Sequence, residues 1–171
     1  MAALPDVVAA RRHARHAAAQ PAAPPRFETL DPQTAAEIEA IAAQIIPSTG
    51  GPGAREAGVI FFIDRALSSF AASEVETYRA GMAQLQEKRK ELFPSSTTIA
   101  ALAPDQQVAL IRTIESSDFF ELLRTHTVLG FLGDPSYGGN RDKTGWRQIG
   151  FEDRMAWQAP FGYYDAEAAH K

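Results

Sequence analysis

The chain has 171 residues, no cysteine and only four histidines. Without cysteine it can have no disulfide, no thiolate nucleophile, no cysteine-ligated zinc and no iron–sulfur cluster. The redox compartment stays open, because a cysteine-free protein suits either side of a membrane. Charge of one sign is also scarce. Seventeen basic and 21 acidic residues give a net charge of −4, which argues against the basic face that nucleic acid requires. No window approaches the roughly 18 apolar residues of a membrane helix. Strand signals are nearly missing, with no Asn-Gly or Asp-Gly pair set between alternating runs. What remains is the composition of a soluble globular domain, 45% apolar, and a length suited to one core with tails.

Catalytic signatures are scarce too. The chain has no His-Glu-x-x-His, no paired Glu-x-x-His motifs of a di-iron bundle and no Gly-x-Ser-x-Gly elbow. His13, His16 and His170 lie toward the termini, which leaves His126 alone on a helical stretch. A single helical histidine reads as a buried or half-buried polar residue before it reads as a ligand or base. Glu56 and Asp64 lie eight residues apart and could share a helix side, but as solvated charges they need no further explanation. Gly50-Gly51-Pro52-Gly53-Ala54 precedes a helix as a phosphate loop would. It lacks the Lys-Ser/Thr ending and a preceding strand, so it reads as a tight turn between helices.

Periodicity predicts an all-α fold, a compact bundle of about five helices. Residues 1–26 form an extended Ala/Pro-rich arm, and residues 27–171 form the helical domain. The first helix opens with Asp31 as N-cap and Pro32 at its first position, then carries Ile38, Ile41, Ala42, Ile45 and Ile46 on one face up to Pro47. The second places Val59, Phe62, Ile63, Ala66, Leu67 and Phe70 on one stripe. Ser73 and Glu76 have capping-box spacing before a third helix burying Val75, Tyr78, Met82, Leu85 and Leu92, which stops before Pro94. A fourth follows Pro104 with Val108, Ile111 and Ile114. The fifth is capped by Ser117 or Asp118, carries Phe119, Leu122, Leu123 and His126, and ends at Gly130 as a C′ glycine.

From Gly130 to Arg147 the helical period gives way to five glycines, a proline, three Asx residues and several large apolar side chains. Glycine allows positive φ and close backbone approach, and Asp and Asn satisfy turn donors with their own side chains. A disordered linker would not carry Phe131, Leu132, Tyr137 and Trp146, which gain by burial. The loop is therefore expected to hold a shape and meet something, with Asp134, Tyr137, Gly138, Gly139, Asn140 and Trp146 at a partner interface. The irregular C-terminal segment concentrates Phe151, Met155, Trp157, Phe161, Tyr163 and Tyr164. It could cover its own core. The alternative, with Trp157, Phe161, Tyr163 and Tyr164 clamping another protein, matches the aromatic enrichment of interface anchors.

Two stretches carry a family resemblance. One is Ile45-Ile46-Pro47-Ser48-Thr49, followed by Gly51-Pro52-Gly53-Ala54-Arg55-Glu56-Ala57-Gly58-Val59 and Phe62-Ile63-Asp64. The other is His126-Thr127-Val128-Leu129-Gly130 with Asp134-Pro135-Ser136-Tyr137-Gly138-Gly139-Asn140-Arg141-Asp142-Lys143-Thr144-Gly145-Trp146. Over about residues 27–165 the chain resembles the small third subunit of bacterial gluconate 2-dehydrogenase, a family that includes the small subunit of FAD-dependent glucose and glucoside dehydrogenases. The Gly-Gly-Asn…Gly-Trp segment is the most specific part. The resemblance implies a non-catalytic subunit with no cofactor of its own. It would bind a large flavoprotein of the glucose–methanol–choline type that holds FAD and oxidises a sugar or sugar acid, in some complexes alongside a cytochrome subunit. It also implies that the small subunit helps the large one to fold. Such subunits typically carry a twin-arginine signal. Here Arg11-Arg12 lead into Ala and Pro without the apolar stretch of a signal, so the expectation is a cytoplasmic complex unless a signal has been lost or removed. The competing readings are a small enzyme with a site around His126 and loop 134–146, and a free-standing helical chaperone.

Overall fold

Asp31 starts the first helix by accepting hydrogen bonds from the amides of Gln33 (2.9 Å) and Thr34 (3.0 Å), with Pro32 supplying a helical φ where no donor is needed. In the computed structural model, which describes residues 26–154, this helix, α1, spans Pro32–Ile45. Five more follow: α2 (Val59–Ser68), α3 (Val75–Leu92), α4 (Pro104–Arg112), α5 (Asp118–Leu132) and the short α6 (Thr144–Gln148). Among the described residues there is no strand. The expected arm and the aromatics Trp157, Phe161, Tyr163 and Tyr164 lie outside the described residues.

The core forms where α2 packs on α5, with α1 against both of them and α3 against α5, and α4 bridging α1 and α3. Ile38, Ile41, Ile63, Leu85, Ile99, Leu110 and Leu123 are all fully buried, each contributing about 1.5–3 kcal/mol from its apolar area. Gly81 on α3 leaves room for the Phe119 ring, which would collide with any Cβ there. Phe119 meets Tyr78 edge-on at 5.5 Å.

Several side chains fall elsewhere than the periodicity predicted. Phe70 lies beyond the end of α2, 65% exposed, because Ser69 turns the chain out of the helix at φ −135°. Ser73 caps nothing: a 3₁₀ turn, Ala72–Glu74, runs straight into α3, so no extended cap residue exists. Leu92 is exposed, and Phe93, just past the helix, packs against the core instead. On α4 the buried face holds Gln107, Leu110 and Ile111, while Val108 is exposed. Ile114 is buried from the turn that follows. Gly130 does not end the fifth helix. The helix continues to Leu132 and is capped by Gly133.

Glu56 and Asp64 serve different ends. Glu56 precedes α2 and accepts from the Gly53 amide and the Ser48 hydroxyl, both at 2.7 Å, fixing the α1–α2 turn. Asp64 is no solvated charge. It is 1% exposed and accepts three backbone amides, from Glu28 (2.6 Å), Thr29 (2.9 Å) and Leu30 (2.8 Å). A buried carboxylate is tolerated when its lone pairs are filled in this way, and here it ties residues 28–30 to the core.

Candidate partner-binding site

The segment after α5 is built around Asn140. Its backbone is left-handed (φ 44°, ψ 41°) and its side chain has no exposed surface. Its amide donates to Gly130 O (2.7 Å), its Nδ2 donates to Gly133 O (2.8 Å), and its Oδ1 accepts the Gly145 amide (2.8 Å). One side chain thereby closes the end of α5 and starts α6. Asn tolerates the left-handed region better than most residues, which explains its choice over Gln or Ser at this point.

The neighbouring glycines allow this approach. A Cβ at Gly139 would strike Gly130 O, and one at Gly145 would strike Phe131 O. Gly138 is at φ +104°, where an L side chain is strained. Asp142 (φ 54°) and Lys143 (φ 57°) are left-handed as well, so with Asn140 three of four consecutive non-glycine residues occupy this region. Each costs on the order of 1–3 kcal/mol and persists only where surrounding contacts over-determine it. The expectation of an ordered loop is met, with two 3₁₀ turns, Pro135–Tyr137 and Arg141–Lys143, inside it.

The expected site residues divide into two groups. Gly139 and Asn140 are buried and hold the loop from within, whereas Asp134 and Tyr137 face outward. Tyr137 is 58% exposed. Asp134 opens the first 3₁₀ turn, and hydrogen bonds from Ser136 hold its carboxyl below the usual range. Trp146 is half-buried, with its indole N–H donating to Leu132 O at 2.6 Å and its ring meeting Phe151 edge-on at 5.1 Å. Phe151 and Ile149 are themselves exposed.

His126, the candidate for an enzyme site, points into the core. It is 5% exposed, stacks on Tyr78 and shares a 3.0 Å hydrogen bond with the Tyr78 hydroxyl through Nδ1. Phe62 meets its ring edge-on. Burial lowers its pKa, with Glu74 pulling the other way. Burial also pushes the Tyr78 hydroxyl well above its ordinary value. Among the described residues no hydrogen bond joins His126 to the loop.

One polar group was not foreseen. A cleft of about 590 Å³ lies between α1 and α3, and Glu37, buried at its floor, accepts from Gln86, which in turn accepts from Arg89 Nε at 2.9 Å. Burial raises the Glu37 carboxyl. Its only sequence signal is an acidic residue placed on the apolar face of α1, beside Ile38 and Ile41. Among the described residues no cluster of three metal-ligating side chains occurs, and no helix is long and apolar enough to cross a membrane.

A helical domain with one end closed by a strained, aromatic-bearing loop is the class that these features define. The chain belongs to the gluconate 2-dehydrogenase subunit 3 family, whose model matches residues 32–153 and so takes in α1 to α6 and the whole loop. No curated protein and no solved structure matches it.

Proposed function

We propose that this chain is the non-catalytic small subunit of a dehydrogenase complex and that it binds and stabilises a large FAD-dependent subunit of the glucose–methanol–choline type. On this reading the flavin belongs to the large subunit, which oxidises a sugar or sugar acid, and a cytochrome subunit can join the wider complex. The partner interface comprises Asp134, Tyr137, Gly138 and Trp146, with Trp157, Phe161, Tyr163 and Tyr164 from the C-terminal segment. Gly139 and Asn140 set its shape.

The observation that carries the proposal is the surface of the loop. Tyr137, Ile149 and Phe151 stand 58%, 61% and 47% exposed, Tyr137 within the loop and the other two just past α6, which the strained residues Asn140, Asp142 and Lys143 precede. Exposed aromatic and aliphatic side chains gathered at one end of a domain mark an interaction face. Family membership supplies the kind of assembly. An obligate contact of this sort buries on the order of 2,000 Å² or more.

Purifying the native complex through a tag on this chain, with an absorbance scan for flavin, tests the reading directly. Bound flavin should accompany a second, larger polypeptide and be absent from the small subunit after the two are separated. Flavin retained by the isolated chain, or sugar oxidation by it alone, would refute the assignment.

A further inference from the structure

We infer that Arg65 and Arg141, set around Phe61 beside the loop, form a docking patch for a carboxylate-bearing segment of the partner protein. The inference rests on the accessory-subunit reading and adds to it a surface and a chemistry. Phe27 and Phe61 stack at 5.2 Å with their planes 13° apart. The Arg141 guanidinium lies 5.3 Å from the centre of the Phe61 ring. Its backbone is fixed by donation to Ala57 O at 2.9 Å and by the left-handed Asn140 before it. Arg65 lies one turn along α2 from Phe61 and reaches the Ser136 carbonyl at 3.4 Å. Tyr137 follows Ser136, and the next residue, Gly138, sits against Arg65 and the Phe61 carbonyl. Two guanidiniums, the Phe27–Phe61 ring pair and the loop backbone at Ser136 and Gly138 thus lie together.

The charges of this surface are open to a partner. Among the described residues, Arg79, Lys88, Lys90 and Arg124 each pair with a glutamate three residues away. Like Arg112 and Arg147, Arg65 and Arg141 have no carboxylate within ion-pair distance among the described residues. Of the acids next to these residues in the chain, Asp64 lies on three backbone amides, Glu28 on the Ser68 hydroxyl and Asp134 on the Ser136 amide, while the exposed Asp142 makes no ion pair with Arg141 beside it.

A guanidinium offers a planar fork of donors matched to a carboxylate. One already stacked on a ring loses less freedom when it binds. Arginine beside Tyr and Phe is also the composition of interface hot spots. The complementary occupant is an Asp or Glu flanked by apolar side chains on the partner's surface. A nucleic-acid backbone is a poorer match for a chain of net charge −4, because two arginines do not make a basic track. A lipid surface is poorer too, since membrane-binding segments carry several clustered cations.

The test compares the native complex formed by the full chain with those of Arg65→Glu plus Arg141→Glu and of Arg65→Lys plus Arg141→Lys. The glutamate pair should weaken association on the order of thirtyfold, as for hot-spot arginines, with helical content unchanged. The lysine pair should retain part of the affinity, and raising salt should slow association of the parent more than of the glutamate variant. Equal recovery of the partner by the parent and the glutamate pair would overturn the patch while leaving the accessory-subunit reading standing. Failure of the parent to recover any flavoprotein would overturn both. Binding of the chain to equimolar phosphatidylcholine/phosphatidylglycerol vesicles, lost in the glutamate pair while the complex persists, would also refute the protein partner.

Discussion

Replacing Asn140 by alanine removes both side-chain hydrogen bonds that join the end of α5 to the start of α6. The Gly145 amide is buried and loses its acceptor, and the Gly133 carbonyl loses a donor in a half-buried position. A buried donor left unsatisfied costs about 1–3 kcal/mol, and the carbonyl adds roughly 1 kcal/mol. Alanine must also hold φ 44°, at about 1–2 kcal/mol. The sum is on the order of 3–6 kcal/mol, a large share of the roughly 5–15 kcal/mol that holds a domain together. Urea unfolding followed by circular dichroism measures it. Asn140→Gly separates the contributions, since it loses the same bonds but not the conformational freedom to be left-handed. It should recover about 1 kcal/mol relative to alanine. A midpoint for Asn140→Ala within about 0.5 kcal/mol of the parent, the range of ordinary surface changes, would show that the loop is not held in the way described. Equal losses for alanine and glycine would keep the hydrogen bonds but remove the argument from backbone strain.

Three further outcomes follow from the packing. Gly145→Ala puts a methyl against Phe131 O and should lower stability by roughly 2 kcal/mol or more; calorimetry showing an unshifted melt would disprove the close approach. Asp64→Ala orphans three amides and should cost about 2–4 kcal/mol, with early hydrogen exchange at residues 28–30 as its signature. His126 gives a pH dependence of defined sign. Burial holds its folded pKa below the ordinary 6.5, so the unfolded chain takes up a proton that the folded chain refuses, and stability falls as pH drops below about 6.5. Glu37 acts oppositely: its raised carboxyl is protonated first in the folded chain, which gains stability as pH falls toward 4.5. The difference between parent and His126→Gln isolates the histidine, and parallel stability curves for the two would contradict its burial as a neutral group.

Much of this was legible in the sequence because the signals were local. Asp31-Pro32 marks a helix start through bonds that span two or three residues, and the isoleucine spacing of α1 reports a face that is in fact buried. The ordered loop was legible because glycine, Asx and large apolar residues together fit neither helix nor linker. The errors arise where the deciding partner is distant. Asp64 looks like any helical acid until residues 28–30, more than 30 positions earlier, fold onto it. Gly130 resembles a helix stop, yet its missing side chain makes room for Phe62 on one side and exposes its carbonyl to Asn140 on the other. Ser73 and Glu76 have the spacing of a capping box, but the preceding 3₁₀ turn removes the extended residue that the motif needs. The position of Asn140 in the loop was visible, while its role as the joint between two helices was not. That role depends on Gly133 and Gly145 meeting the same amide from opposite directions.

The way α5 ends has a bearing on how this region opens and closes over time. The last carbonyls of a helix ordinarily face water and fray independently of their neighbours. Here Gly130, Leu132 and Gly133 give theirs to the Asn140 amide, the Trp146 indole and the Asn140 side chain. All three donors come from within about fifteen positions of the acceptors, so closing them involves a short loop and little entropy. The helix end and the loop are therefore one cooperative unit. The amides of Asn140 and Gly145 should exchange with solvent at the rate of the α5 backbone, and unwinding the last turn of α5 would disorganise the Tyr137 surface in the same event.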